Sequence, residues 1–266
     1  MLTSLSNAKV KQVVQWQNKA KERRNAGVFL TEGAKMYSEA PDDWIREVYV
    51  TQAFLDRLDK NTLIWKKLLQ SGYEIVSDEV MEKMTDTKTP QGILSVLNCP
   101  HYLLEDILYR RNGLFLVLEE LQDPGNLGTI LRTGEGAGIS GVIMSRGTVD
   151  IFNPKTIRGT MGSIYRVPFI YVDDLQEIMQ KMKELGIKTY AAHLSGKEYY
   201  TEISFREPTA FLIGNEGNGL SDEIANVADT YIKIPMEGEV ESLNAGVAAA
   251  LLMYEAKRQR SIIPEG

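Results

Sequence analysis

Cysteine is nearly missing from this chain. Cys99 is the single one in 266 residues, and histidine occurs only at His101 and His193. One thiol excludes an intramolecular disulfide, and these scattered donors are too few for a structural zinc cluster. Long apolar runs are missing as well: nothing approaches the ~18 residues of a membrane span. Residues 1–7 lead into a basic amphipathic segment and not into a signal peptide's apolar core, so a cytoplasmic protein is expected. A surplus of positive charge is also lacking. Thirty Lys and Arg stand against 36 Asp and Glu, a net charge of −6, which weighs mildly against a nucleic-acid partner, though the distribution of charge matters more.

What is present is locally organised. Hydrophobic residues make up 43% of the chain, enough for one large or two modest cores. Basic residues collect at Lys9, Lys11, Lys19, Lys21, Arg23 and Arg24, opposed only by Glu22, and again at Arg146, Lys155, Arg158 and Arg166. The first set reads either as a nucleic-acid surface or as a solvated helix face.

Periodicity predicts a helix over 7–25, strands at 28–30, 45–50, 73–76 and 92–97, and helices at 32–40, 52–58, 61–70 and 77–84. Residues 1–98 therefore form a small α/β domain. Residues 99–113, with turn formers at both ends and a charged middle, read as a linker. From 114 to 266 strand and helix alternate. Strands are expected at 114–118, 141–144, 167–171, 188–192, 210–213 and 231–234, with helices at 126–137, 155–161, 175–185, 222–227 and 243–260. That rhythm predicts a mainly parallel sheet with helices on both faces.

Three segments follow apolar runs in this second domain: Asp123-Pro124-Gly125-Asn126-Leu127-Gly128 running to Arg132, Gly214-Asn215-Glu216-Gly217-Asn218-Gly219-Leu220, and Ile234-Pro235-Met236 running to Ser242-Leu243-Asn244. Loops between strand and helix present backbone N–H groups at the carboxyl ends of strands, so three of them imply one composite site. Glu216 would repel an anion, which favours a neutral or cationic ligand such as a sulfonium nucleoside. The bland alternative is an ordinary turn feeding a helix capped by Ser221. Arg132 suits a bidentate grip on phosphate, or is a plain surface arginine. Residues 136–141 match the dinucleotide-binding G-x-G-x-x-G pattern in letters only, because they close a helix and precede a strand. His193 reads as structural and Cys99 as inert.

Taken together, these segments resemble the SpoU-type (TrmH-like) RNA ribose 2′-O-methyltransferases. Residues 123–133 resemble the family's first motif, 214–220 its second, and 234–236 with 241–244 its third. Asn153-Pro154-Lys155 with Arg158 and Met161-Gly162 resemble its middle segment. Phe29-Leu30-Thr31-Glu32-Gly33 and Pro90-Gln91-Gly92-Ile93 resemble the substrate-binding domain that often precedes it. The resemblance implies a SPOUT-class α/β domain with a C-terminal trefoil knot, a homodimer, and S-adenosylmethionine as cofactor, leaving S-adenosylhomocysteine. No metal is expected, since the sulfide leaves as a neutral group.

It further implies catalytic roles for Arg132, Asn126, Glu216, Ser242 and Asn244. Cofactor contacts fall to Gly214, Asn215, Gly217, Ile234, Pro235, Met236, Ser242, Leu243 and Asn244. RNA contacts fall to Lys9, Lys11, Lys19, Arg23, Arg24, Lys88, Arg132, Lys155 and Arg158. Glu216 is expected to position Arg132 or the reacting hydroxyl. The substrate implied is RNA, with 23S rRNA ahead of tRNA. Two other readings stay open: a non-catalytic RNA-binding scaffold, which would fail to bind the cofactor, and a nucleotide-binding enzyme of small metabolites, which RNA would not compete with.

Overall fold

The computed structural model describes residues Met1–Ser261. In chain order it gives α1 (Ala8–Asn18), α2 (Ala20–Ala26), β1 (Val28–Glu32), α3 (Ala34–Glu39), β2 (Ile45–Thr51), α4 (Gln52–Arg57), α5 (Leu63–Ser71), β3 (Glu74–Val76), α6 (Asp78–Met84) and β4 (Ile93–Asn98). There follow α7 (Leu104–Leu108), β5 (Leu114–Leu118), α8 (Pro124–Ala137), β6 (Gly141–Ser145), α9 (Pro154–Thr160), β7 (Phe169–Val172) and α10 (Leu175–Glu184). The last elements are β8 (Lys188–Ala192), β9 (Glu198–Tyr199), β10 (Thr209–Ile213), α11 (Asp222–Ala225), β11 (Thr230–Lys233) and α12 (Ala245–Ser261).

Two compact units result. One comprises Met1–His101 with Phe152–Tyr165, the other Tyr102–Ile151 with Arg166 onward. In the first, β1-β4-β2-β3 form a four-stranded sheet in which only the β2–β3 pair is parallel. Strand alternation sorts its side chains. Tyr49, Leu94 and Val96 meet Val10, Val13 and Trp16 of α1 and Val80, Met81 and Met84 of α6. On the other face Val48, Val50 and Ile93 meet Tyr37, Phe54 and Leu68.

The helix expected over 7–25 is broken. Lys19 takes an extended conformation (φ −126°, ψ 108°), and the buried Arg23 donates from Nη1 to the carbonyls of Trp16 (2.7 Å) and Gln17 (3.2 Å). Carbonyls at a helix end need partners, and this guanidinium supplies them.

The segment 152–165 lies between β6 and β7 in sequence but belongs to the first unit. The Phe152 ring stacks on Phe29 with centroids 4.8 Å apart, Tyr165 meets Trp44 edge-on at 6.0 Å, and the Tyr165 hydroxyl donates to Met36 O (3.0 Å). The first unit is thus completed by chain that sequence periodicity assigns to the second half.

The second unit is a seven-stranded, wholly parallel sheet of order β7-β6-β5-β10-β8-β11-β9. β5 and β10 are buried at every position, as parallel strands covered on both faces must be. Leu175, Ile178, Met179 and Met182, at helical spacing on α10, pack with Phe115, Val117 and Leu212. The stretch 99–113, read as linker, carries α7, whose Ile107 and Leu108 enter this same core. Gly138 ends α8 in the left-handed conformation (φ 81°), the helix stop expected within 136–141. The short edge strand β9 was not anticipated.

A fragment ending at His101 loses the Phe152 and Tyr165 rings that cover Phe29 and Trp44, costing roughly 3 kcal/mol or more for each ring removed. It is expected to melt well below the full chain and to bind a hydrophobic dye, as thermal scanning fluorimetry would register; a fragment as stable as the whole would refute this.

Candidate active site at the sheet's switch point

Strand order reverses between β5 and β10: β6 and β7 extend the sheet on one side, and β8, β11 and β9 on the other. In open parallel sheets that crevice, at the carboxyl ends of the strands, is where ligands bind. The loops leaving β5 and β10 are the Asp123 and Gly214 segments. Asp123 caps α8, accepting from Asn126 N (3.0 Å) and Gly125 N, with Pro124 at the first helical position.

The loop after β10 folds tightly on itself. Asn215 and Gly219 exchange backbone hydrogen bonds of 3.0 and 2.9 Å, and Asn215 Oδ1 accepts from the N–H groups of Gly217 (2.8 Å) and Asn218 (3.1 Å). A Cβ on Gly214 would fall 2.1 Å from Gly219 C and Leu220 N, so no other residue fits there. Glu119 ties the far end down, its carboxylate accepting from Ser221 N (2.7 Å) and Ser221 Oγ (2.6 Å). Nothing in the sequence singled out Glu119.

Glu216 joins the two loops. Its Oε2 accepts from Gln122 N (2.9 Å), and its Oε1 from Asp123 N (2.9 Å) and Asn126 Nδ2 (2.9 Å). A carboxylate only accepts, so Asn126 must turn its Nδ2 toward it. The Oδ1 of Asn126 is then left to accept from Asn244 Nδ2 (2.8 Å). Asn244 in turn keeps its Oδ1 for the first N–H groups of α12, Gly246 (2.9 Å) and Val247 (3.2 Å). One relay of hydrogen bonds thereby links all three segments. Burial opposes ionisation of Glu216, but the N–H of Gln122, the Asn126 amide and the N–H of Asp123 outweigh it and hold the carboxyl below its ordinary value.

Arg132 is exposed on α8 and, among the described residues, makes no hydrogen bond or ion pair. Glu216 therefore holds Asn126 and the Gln122–Asp123 turn, and not Arg132. Ile234, Pro235, Met236, Ser242 and Leu243 lie in the irregular stretch between β11 and α12, with Pro235, Met236 and Ser242 exposed. Among the described residues no backbone group of 234–243 is paired with another backbone group. His193 accepts from Ser195 N (3.1 Å) through Nδ1 and meets the Tyr231 ring at a tilt of 41°, as a structural histidine would.

In the other unit, Glu32 accepts from Gln91 N (2.9 Å) and from Thr87 Oγ1 (2.8 Å), joining the 29–33 and 90–93 segments and shaping the loop that exposes Lys88. Lys11, Lys19 and Arg24 are exposed, while Lys9 pairs with Glu74 (2.7 Å) and Arg158 with Asp86 (2.9 Å). Lys155 is exposed at the start of α9. Arg23, expected among the RNA contacts, is buried in the α1–α2 junction, where Trp16 and Gln17 occupy it.

Comparison with known proteins places this arrangement. Residues 113–254 match the SpoU rRNA Methylase family, and residues 7–95 match the MRM3-like substrate binding domain. The 23S rRNA (guanosine(2553)-2'-O)-methyltransferase RlmP of Bacillus subtilis is 32% identical over 260 residues, covering 96% of this chain and 100% of that one. The 23S rRNA (uridine(2479)-2'-O)-methyltransferase of Streptomyces viridochromogenes is 30% identical over 257 residues, covering 92% and 89%. Among solved structures, the SpoU methyltransferase AviRb of Streptomyces viridochromogenes in complex with AdoMet superposes with a TM-score of 0.84 at 27% identity, covering 96% of this chain and 98% of that one. With its three motifs tied into one relay at the switch point of a parallel sheet, the chain belongs to the SpoU rRNA methylase family.

Proposed function

We propose that this protein transfers a methyl group from S-adenosylmethionine to a ribose 2′-hydroxyl of RNA, with 23S rRNA as the substrate. The Glu216–Asn126–Asn244 relay carries the reading, because it builds one site from the three family motifs. The names of the Bacillus and Streptomyces relatives support the ribosomal substrate, and the AdoMet complex of AviRb supports the cofactor.

The residues fit that cofactor. An adenosyl group is held by backbone donors and acceptors beside apolar side chains. The 234–243 stretch offers uncommitted backbone groups with Met236 and Val240 exposed. The negative charge of Glu216 suits a sulfonium and would repel a phosphate. Gly214, Asn215 and Gly217 belong to the loop after β10, and Ser242 and Leu243 to the stretch that leads into α12. When bound, S-adenosylmethionine supplies the methyl group; no metal is required, since the sulfide leaves neutral.

The chain's own contribution is positioning. Holding two reactants in line supplies several kcal/mol of a barrier. Asn126 and Asn244 are locked by their neighbours and line the site in one orientation. The carboxylate of Glu216 has its oxygens committed to three N–H donors, so it organises the loops and does not take the hydroxyl proton. Arg132, charged and uncommitted, grips the phosphate beside the target ribose and stabilises the oxyanion developing at its 2′ position. Lys11, Lys19, Arg24, Lys88 and Lys155 of the first unit dock the surrounding RNA, with Lys9 and Arg158 available once their exposed ion pairs exchange for phosphate.

The finer attributes of the family belong to the same reading: a C-terminal trefoil knot, a cytoplasmic location and a homodimer. Val247, Leu251 and Tyr254 support the dimer, being 47%, 37% and 47% exposed on one stripe of α12.

Three outcomes test this function. Arg132→Ala is expected to lower turnover by about 10²-fold or more with cofactor affinity, measured by calorimetry, unchanged; normal turnover would remove Arg132 from the reaction. Glu216→Gln puts an amide N–H₂ against backbone donors and should destabilise the protein at neutral pH. Because the native carboxyl sits below its ordinary value of 4.5, its stabilisation is present above that pH and is lost as pH falls further. The melting temperatures of wild type and Glu216→Gln should therefore converge below pH 4.5, and a gap independent of pH would contradict the assignment. Leu251→Glu is expected to shift the protein from dimer to monomer in light scattering, whereas a monomeric wild type would dismiss the homodimer.

A further inference from the structure

Glu120 stands where the backbone disfavours it. Its φ is 50°, in the left-handed region that glycine, asparagine and aspartate enter far more readily than glutamate. Three hydrogen bonds hold it there. Its N–H donates to Ser145 Oγ (2.9 Å), and its carbonyl accepts from Asn215 Nδ2 (2.9 Å) and Gln122 Nε2 (2.8 Å). Gln122 Nε2 also donates to Gly147 O (2.8 Å), which fixes the neighbouring loop against it.

The side chain has a bed of its own. A Cβ on Gly147 would lie 2.9 Å from Glu120 Oε1 and 3.0 Å from its Cγ, so any residue but glycine at 147 would displace it. Yet Glu120 is exposed, and among the described residues its carboxylate makes no hydrogen bond or ion pair. Arg146, which precedes Gly147 in sequence, is engaged by Asp173 (2.7 Å). Three hydrogen bonds thus fix the strained backbone of Glu120, and Gly147 leaves room beside a carboxylate that the fold itself does not use. Backbone strain held by its surroundings marks functional positions. This one lies at the carboxyl ends of β5 and β6, two residues before Gln122, whose N–H Glu216 holds.

We propose that Glu120 reads the base of the nucleotide being methylated, and that this base is guanine. The proposal rests on the methyltransferase reading above. Sequence-specific RNA recognition splays a base out of its stack and reads its Watson–Crick edge. A carboxylate offers two acceptors side by side and no donor. Guanine alone presents two adjacent donors, N1–H and the N2 amino group, on that edge. Adenine and cytosine present one amino group each, and uracil sets its single N3–H between two carbonyls that a carboxylate repels. The two relatives named above act on a guanosine and on a uridine, so the machinery common to the family leaves the base open. Glu120 is then a specificity residue, separate from the groups that position the methyl transfer.

The test uses the full-length protein with unmodified transcripts of 23S rRNA and tRNA, mapping the methylated ribose by its resistance to alkaline hydrolysis. That nucleotide is then replaced by uridine, and kcat/KM is compared for wild type, Glu120→Gly and Glu120→Gln. The wild type is expected to modify a guanosine and to prefer it by about ten- to hundredfold, the discrimination one bidentate base contact supplies. Glu120→Gly should lose most of that preference while melting no lower than wild type, since glycine relieves the left-handed strain. Glu120→Gln, which turns an N–H₂ toward a guanine donor, should lose preference too. A modified nucleotide other than guanosine, an intact preference in Glu120→Gly, or weakened S-adenosylmethionine binding in that variant would each overturn the assignment. No transfer to any RNA by the wild type would overturn the methyltransferase reading itself, and this proposal with it.

Discussion

Everything at the candidate site hangs from one carboxylate. Glu216 sits on the loop after β10 but spends its oxygens on the loop after β5, taking Gln122 N, Asp123 N and Asn126 Nδ2. The two loops leave neighbouring strands and would otherwise be free to part. Because carboxylates accept and do not donate, this bond also decides the orientation of Asn126, and through Asn126 that of Asn244. The first turn of α12 is capped by the same chain of choices. A site made from residues some 120 positions apart in sequence is thus held to a single hydrogen-bonding pattern by about two kinds of donor, peptide N–H and side-chain amide.

Around that relay the sheet provides stiffness and the loops provide chemistry. β5 and β10, buried along their whole length, fix where the two loops begin. Gly214, closed against Gly219 and Leu220, fixes where the second one turns. The stretch after β11 is different in kind: its backbone groups stay uncommitted among the described residues, which is what a segment needs if it is to grip a ligand through the main chain.

Much of this is legible in the periodicity of the sequence. The parallel sheet follows from the regular alternation of strand and helix, whereas α8, expected from Asn126, begins at Pro124, where Asp123 caps it. Asn126, Glu216 and Asn244 were visible as motif members, but their mutual bonds were not, because a hydrogen bond across 118 residues leaves no trace in local pattern. Arg23 misled for a related reason. On charge it belongs to a basic face, yet the carbonyls ending α1 claimed it, and burial is decided by such tertiary demand. The α7 helix was hidden by the charge of 105–111, although Ile107 and Leu108 face the core. Glu120 was unreadable altogether, since nothing in sequence marks a glutamate as left-handed.

The excursion at 152–165 has a consequence for synthesis on the ribosome. Phe29, Trp44 and Met36 belong to the first unit, but the rings that cover them, Phe152 and Tyr165, emerge only after roughly 60 further residues have been made beyond His101. At about 5–20 residues per second, the nascent first unit waits several seconds with that apolar surface uncovered. During that interval β5 and β6, the strands coded in between, are already out. The order of birth therefore obliges about a third of one unit to appear before the other can close, and the two must mature as partners in time.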